Sequence, residues 1–142
     1  LTRFIIYGFT GWCIEIFWTG LGSLIRGDRK LRGWTYLWMF PIYGLAVFLE
    51  PIHNFIRDWP FFLRGIIYVI FIWSIEYFTG FILKNTVKVC PWDYSKATYS
   101  INGFIRLDYG PAWFIAGLLF EKLHDLLIKL QYNKPAFIWA GL

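Results

Sequence analysis

Four long apolar stretches set the pattern of hydrophobic and polar positions along the chain, and the charged residues concentrate between them. An α-helix needs about 20 predominantly apolar residues to cross a bilayer. Each stretch reaches that length and therefore predicts a transmembrane helix. The predicted spans are roughly Phe4–Ile25, Trp34–Ile56, Phe61–Leu83 and Pro111–Leu130.

The composition agrees with a membrane protein. The 142 residues are 58% hydrophobic and only 16% charged, whereas a soluble domain carries roughly a quarter charged residues. Too few polar residues remain to cover a soluble surface. The net charge of +5 belongs to the loops, and no basic stripe occurs outside the segments that flank the membrane. The expected partner is therefore the lipid bilayer with its anionic headgroups, and no nucleic-acid partner is expected.

Two phrases recur along the chain. WCIEIFWTG (12–20) resembles WSIEYFTG (73–80) at an offset of 61 residues, and GLAVFLEPIH (44–53) resembles AGLLFEKLH (116–124) at an offset of 71. Aromatic-rich helices can resemble one another by chance. Both phrases recur in the same order, however, and each centres on a rare polar residue, which favours a true internal repeat.

The repeat predicts the architecture. We expect an all-α membrane protein with one membrane domain over residues 1–142 and four transmembrane helices, built as two tandem helical hairpins at about 4–56 and 61–130. Two crossings return the chain to its starting side, so the hairpins run parallel about an axis along the membrane normal. A long, partly ordered loop at 84–110 joins helices 3 and 4, and the tail at 131–142 is left unassigned.

The basic residues indicate an orientation. Segments 26–33 and 84–110 lie on the same side of the predicted membrane and hold more Lys and Arg than the side with the termini. The positive-inside rule therefore places these segments in the cytoplasm and both termini outside.

Each predicted span carries one glutamate, and a histidine follows two of these glutamates by three positions. At 1.5 Å per residue the four carboxyls lie on the order of 12–22 Å from the side of the termini, so they could meet near mid-membrane. A carboxylate at that depth is costly and needs a partner, and the spans offer almost no Lys or Arg. The set comprises Glu15, Glu50, His53, Glu76, Glu121 and His124.

Two divalent metal ions would balance the four carboxylates, and the two imidazoles would complete the ligand set. One Glu from each of two helices with Glu-x-x-His from each of the other two is the ligand pattern of di-iron and di-manganese carboxylate proteins. The pattern predicts a dinuclear site for iron or manganese, with zinc also compatible. It would allow oxidoreductase chemistry on a lipid or another membrane-soluble substrate, and it identifies no catalytic residue beyond the ligands.

Two other interpretations of these residues stay open. The glutamates could be proton or cation sites of a small permease or transport subunit. The histidines could instead be ordinary interfacial residues, since both lie near the ends of their spans. Pro51 directly follows Glu50 and could kink the helix, which would move His53 off the face of Glu50.

The loop at 84–110 is long enough to predict a function of its own, as a lid or re-entrant segment. Arg106 would meet an anionic headgroup, with Asp93 and Asp108 as its possible ion-pair partners. Asp93 could also bond its own backbone amides. Cys13 and Cys90 are the only cysteines and predict no disulfide, and Cys90 has little support as a nucleophile.

The phrases GWCIE, GWTYLWMFPIYG, EYFTGFILK, CPWDYS and NGFIRLDYGPAW resemble the bacterial membrane proteins labelled putative ABC-transporter permease, type IV (CmpB-like). A related vertebrate group of small multi-pass membrane proteins is similar in GFIL and CPWDYS. The resemblance covers about residues 4–125 and implies a small polytopic protein of the bacterial cytoplasmic membrane. The sequence has no G-x-x-x-x-G-K-[ST] loop, so on a transporter interpretation the ATPase would be a separate subunit. The resemblance brings no catalytic residues.

Overall fold

The computed structural model describes residues 1–132, so nearly all of the predicted tail at 131–142 lies outside the described residues. Helix α1 spans Thr2–Ile25. It ends where Gly27 takes a φ of 89°, and the amide of Gly27 bonds the carbonyl of Leu24 at 2.8 Å. A positive φ is readily adopted by glycine and stops a right-handed helix.

The second predicted span is divided into shorter segments. Helix α2 covers Met39–Gly44, a 3-10 turn covers Leu45–Phe48, and helix α3 covers Leu49–Ile56. Pro51 lies in the first turn of α3, directly after the 3-10 turn, a position where a proline is better tolerated than in a helix interior.

The helix begins at Met39 and not at Trp34, contrary to the sequence prediction. The chain before it has no regular secondary structure. The hydroxyl of Thr19 on α1 donates to the carbonyl of Trp34 and accepts from its amide, each at 2.9 Å. These bonds satisfy the backbone of Trp34 without a helix.

The second half of the protein repeats this layout with longer helices. Helix α4 spans Phe61–Thr86, and helix α5 spans Gly110–Tyr132. Between them, β1 (Ser100–Ile101) and β2 (Ile105–Arg106) form a short antiparallel hairpin. A 3-10 turn at Leu107–Tyr109 leads directly into α5.

Glycines allow the helices within each hairpin to approach closely. Helix α1 packs against α2, and α4 packs against α5. A Cβ atom on Gly117 would lie 2.3 Å from the Cβ of Tyr68, so only glycine fits at this contact. Residues from both hairpins then share one buried apolar core, formed by Tyr7, Leu49, Ile56, Tyr68 and Phe120.

Three helical segments of the described chain are long and apolar enough to cross a membrane, namely Thr2–Ile25, Met39–Ile56 and Phe61–Thr86. Their outward faces carry exposed aromatic side chains, such as Phe17 at 67% and Phe78 at 63% exposure, which suits contact with lipid. Helix α5 corresponds to the fourth predicted span but is more polar in its second half, and it is not among the three. A fourth crossing stays a prediction.

Candidate functional site

Polar side chains of the two hairpins meet at the end of the helices that carries the N-terminus. Each hairpin contributes one arginine, one tyrosine, one glutamate and one histidine. We call these eight residues the interface cluster: Arg3, Tyr7, Glu50 and His53 from the first hairpin, and Arg64, Tyr68, Glu121 and His124 from the second.

In the first hairpin, Glu50 on α3 accepts two hydrogen bonds from α1. The Tyr7 hydroxyl donates to Glu50 Oε1 at 2.6 Å, and Arg3 Nη1 donates to the same oxygen at 2.9 Å. Arg3 and Tyr7 are four residues apart and so lie on one face of α1. The carboxylate therefore has a cation and a neutral donor as partners.

The second hairpin repeats this arrangement. The Tyr68 hydroxyl donates to Glu121 Oε1 at 3.0 Å, and Arg64 binds both carboxylate oxygens through Nε at 2.8 Å and Nη2 at 3.2 Å. Arg64 Nη1 also donates to the carbonyls of Arg57 and Trp59, at 3.0 and 2.8 Å. This arginine thus fixes the connection between the hairpins as well as the buried carboxylate.

The histidines cross between the hairpins. His124 Nδ1 lies 3.5 Å from Glu50 Oε1, and His53 Nδ1 lies 3.5 Å from Glu121 Oε1. The two imidazole rings contact each other edge to face, with centroids 5.2 Å apart. The two Glu-x-x-His segments therefore come together, but each histidine lies beside the glutamate of the other hairpin.

The far sides of the two imidazoles differ. His53 Nε2 lies 3.4 Å from Asp125 Oδ1, and Arg57 Nη2 contacts both of these atoms, at 3.2 and 2.8 Å. His124 Nε2, in contrast, is buried and has no hydrogen-bond partner within residues 1–132. His53, His124 and Asp125 each offer one donor atom, and these atoms lie within 4.8 Å of one another. This group is a possible metal-binding group.

The expectation that the buried glutamates lack cationic partners is wrong for Glu50 and Glu121. Arg3 and Arg64 lie near the helix ends, and their long side chains reach the carboxylates from there. The sequence contains a pattern that could have identified these arginines. Arg3 and Tyr7 recur as Arg64 and Tyr68 at the same offset of 61 that relates the two glutamate phrases of α1 and α4.

Glu15 and Glu76 lie in a different layer of the bundle. Each is eight residues beyond the tyrosine of its helix, a distance of about 12 Å along the axis. Glu15 Oε2 accepts hydrogen bonds from the hydroxyls of Thr35, at 2.6 Å, and Tyr43, at 3.0 Å. Over the described part of the chain, Glu76 Oε2 is buried without a partner. The structure thus brings together four of the six predicted metal ligands.

The loop residues singled out from the sequence surround an open depression of about 460 Å³. Arg106 pairs with Asp108 at 2.5 Å, and its guanidinium lies 4.2 Å from the ring centre of Tyr109. Asp93 accepts hydrogen bonds from the amide and the hydroxyl of Ser95, and these bonds hold the pKa of Asp93 below its usual range. The Arg106 hydrogen bond likewise lowers the pKa of Asp108. Arg106 is therefore already neutralised by a neighbour.

The cysteines make no disulfide, as predicted. Cys13 and Cys90 are both free. Burial raises the pKa of the Cys90 thiol, which disfavours the nucleophilic thiolate.

Comparison with known proteins gives one family. The sequence model of the family described as Putative ABC-transporter type IV matches residues 2–140, almost the whole chain. No solved structure matches the chain.

Proposed function

Because the chain belongs to the family described as Putative ABC-transporter type IV, we propose that it is the membrane-embedded part of a transporter whose interface cluster binds a proton or another cation. The observation that carries this proposal is the position of the cluster. The eight ionisable and hydroxyl-bearing side chains lie where the two hairpins touch. In transporters built from internal repeats, substrate and coupling ions bind at the interface between the repeats.

The burial of the cluster supports a functional role for its ionisable side chains. His53, His124 and Glu121 are only 3%, 1% and 4% exposed. Ionisable groups inside a membrane protein are costly and typically mark ion or proton pathways. With both imidazoles neutral, the two arginines balance the two glutamates.

Adding one proton to either imidazole would disturb that balance. A charged His124 would face the guanidinium of Arg3, whose Nη1 lies 3.2 Å from His124 Nδ1. A charged His53 would face Arg57 in the same way, at 3.2 Å. Like charges at this distance repel. The contact of His124 with Arg3 joins the two hairpins, so proton uptake by His124 would change how they pack against each other, whereas the contact of His53 with Arg57 lies within the first hairpin. Relative movement of two repeats is the usual basis of alternating access.

The proposal includes the finer architecture predicted from the sequence. Helix α5 would be the fourth crossing, so that two parallel hairpins place both termini outside a bacterial cytoplasmic membrane and the segments 26–33 and 84–110 in the cytoplasm. On this proposal an ATPase partner would supply energy, in keeping with the description of the family.

The experiment is proton flux into vesicles. The purified chain is reconstituted with a trapped pH-sensitive dye, and an outward potassium gradient with valinomycin supplies the driving potential. We expect faster internal acidification than in vesicles without protein, and loss of this difference in the His53→Gln, His124→Gln double variant, which lacks the two imidazoles that take up the proton. Asp58→Asn is the control, because Asp58 is an exposed acid at the same end. Equal rates in wild-type and double-variant vesicles would refute the proposed proton site.

The depression in the long loop is a candidate entrance. Asp93, Arg106 and Asp108 line it, and the loop leads directly into α5. On the transporter proposal this segment acts as a lid that meets lipid headgroups, with Arg106 exchanging Asp108 for a phosphate. Exchange of one anion for another keeps the guanidinium paired throughout.

A dinuclear iron or manganese centre with lipid oxidation is the second candidate function. The meeting of the two Glu-x-x-His segments favours it. It requires Glu15 and Glu76 to join the cluster from about 12 Å away along their helices. Two equivalents of metal per chain that are lost in Glu15→Gln would support this candidate, whereas the transporter proposal predicts no such dependence.

A further inference from the structure

We propose that His53, His124 and Asp125 form a site for one divalent transition-metal ion. In the absence of metal, Arg57 contacts two of the donor atoms and competes with the ion. This site shares His53 and His124 with the interface cluster, but its test is metal binding and does not require transport. Its ligand set differs from that of the dinuclear centre. Two imidazoles and one carboxylate with open positions are a common ligand set for iron, and zinc accepts the same donors.

The donor atoms of the three side chains already lie close to one another. One donor atom from each of the three side chains falls within 4.8 Å of the others, which a bound ion would contract to about 3 Å for donors near 2.1 Å from a metal. His124 Nε2 is a buried nitrogen without a hydrogen-bond partner among residues 1–132. Leaving a polar atom buried and unpaired is unfavourable, and a metal bound at this nitrogen would give it a partner.

The opposite ring nitrogens face hydroxyl oxygens that can accept a proton: His53 Nδ1 lies 3.0 Å from the Tyr68 hydroxyl and His124 Nδ1 lies 3.4 Å from the Tyr7 hydroxyl. Arg3 Nη1 is a donor and lies 3.2 Å from His124 Nδ1, so metal binding requires His124 to give up that contact. A histidine that ligates through Nε2 carries its proton on Nδ1 and donates it to a carboxylate or a similar acceptor. Glu50 Oε1 and Glu121 Oε1 each lie 3.5 Å from the Nδ1 atom of a histidine. In this proposal the two glutamates orient the imidazoles and are not ligands.

The guanidinium of Arg57 occupies the position proposed for the metal ion. Its Nη2 contacts Asp125 Oδ1 at 2.8 Å and His53 Nε2 at 3.2 Å, the two atoms that a metal would bind. The Arg57 and Asp125 side chains are 46% and 34% exposed, so the guanidinium can leave toward the headgroups and the ion can enter from the same side. Metal and guanidinium therefore compete for one place.

The test uses the full chain in detergent, stripped with a chelator and titrated with Co²⁺, followed by competition with Zn²⁺. We expect one equivalent of Co²⁺ per chain, with the visible absorption of Co²⁺ bound to nitrogen and oxygen ligands. Arg57→Gln should raise the affinity about tenfold, because it removes a competing positive charge. Glu121→Gln should lower the affinity by about 10- to 100-fold through loss of imidazole orientation.

Asp125→Asn tests the carboxylate ligand directly, and Asp58→Asn is its matched control. The first variant should lose Co²⁺ binding and the second should keep it, while Asp125→His should restore binding because imidazole is also a ligand. Glu15→Gln should change nothing, which separates this site from the six-ligand centre. Absence of saturable binding in the wild type, two equivalents of Co²⁺, or unchanged affinity in Asp125→Asn would each overturn the proposal.

Discussion

Replacing Arg64 by methionine removes the cation from the most buried carboxylate of the interface cluster. Glu121 has a side chain only 6% exposed, and Arg64 binds both of its oxygens. Breaking a buried ion pair by removing one partner costs about 3–5 kcal/mol, because the other charge stays buried without compensation. The loss of the two bonds to the carbonyls of Arg57 and Trp59 adds to this cost.

The free energy needed to protonate the unpaired glutamate gives a second estimate of the stability lost in Arg64→Met. A glutamate left without a cation can become neutral, which costs about 3.7 kcal/mol at pH 7 for a carboxyl with the ordinary pKa of about 4.3. The two estimates agree. The cost by proton uptake falls by about 1.4 kcal/mol for each pH unit below 7, so the stability difference between wild type and Arg64→Met should shrink as the pH is lowered toward 5.

The assay is reversible unfolding in mixed micelles with increasing denaturing detergent, followed by circular dichroism at pH 7 and pH 5. The Arg64→Met, Glu121→Gln double variant completes a thermodynamic cycle. The double variant should recover most of the lost stability, since no charge remains buried. A cost below about 1 kcal/mol for Arg64→Met, or a double variant as unstable as the single one, would contradict the buried-charge argument.

Three further predictions concern single contacts. Tyr7→Phe should lower the free energy of unfolding by about 1.5–3 kcal/mol in the same assay, because it removes a 2.6 Å hydrogen bond to a carboxylate. Gly117→Ala should cost about 1–3 kcal/mol by overpacking against Tyr68, whereas Gly22→Ala, which meets only the flexible end of Arg26, should be tolerated. The Asp93 turn has a depressed pKa, so its stabilising bonds should persist above pH about 4 and be lost as the pH falls through the folded-state pKa. An acid-active protease should cleave the 84–110 loop faster, relative to an unstructured control peptide, as the pH falls below about 4; a relative rate that does not rise down to about pH 1.5 would contradict this last prediction.

The meeting of Glu50 and Glu121 could be anticipated from the two pairs of similar sequence segments. The offsets of 61 and 71 residues identified the helices that carry equivalent glutamates, and the structure brings Glu50 and Glu121 into one cluster through the two histidines. The exchange of histidines between hairpins was not predictable. It depends on how two helix faces approach in space, which the spacing of Glu and His within one helix does not determine.

The depth of the glutamates was predicted less well, for two physical reasons. The rise per residue is not uniform in the second span, which contains an irregular segment before Met39 and a 3-10 turn at Leu45–Phe48. The backbones of Arg3 and Arg64 lie near the helix ends. Their guanidinium groups reach one turn or more from those positions, so a count of charges within a span underestimates the available counter-ions.

The exchange of histidines has a consequence for how such a protein arose. One hairpin holds an arginine, a tyrosine and a glutamate, but the imidazole beside its carboxylate comes from the other hairpin. Two identical copies of an unfused ancestor would complete each other in the same way across a dyad. At the offset of 71 residues, the positions that correspond to Arg57 and Asp125 are Ile128 and Asn54, so the two halves differ at this contact. Co-expression of the two hairpins as separate fragments should therefore restore the Glu–His contacts, which neither fragment can form by itself.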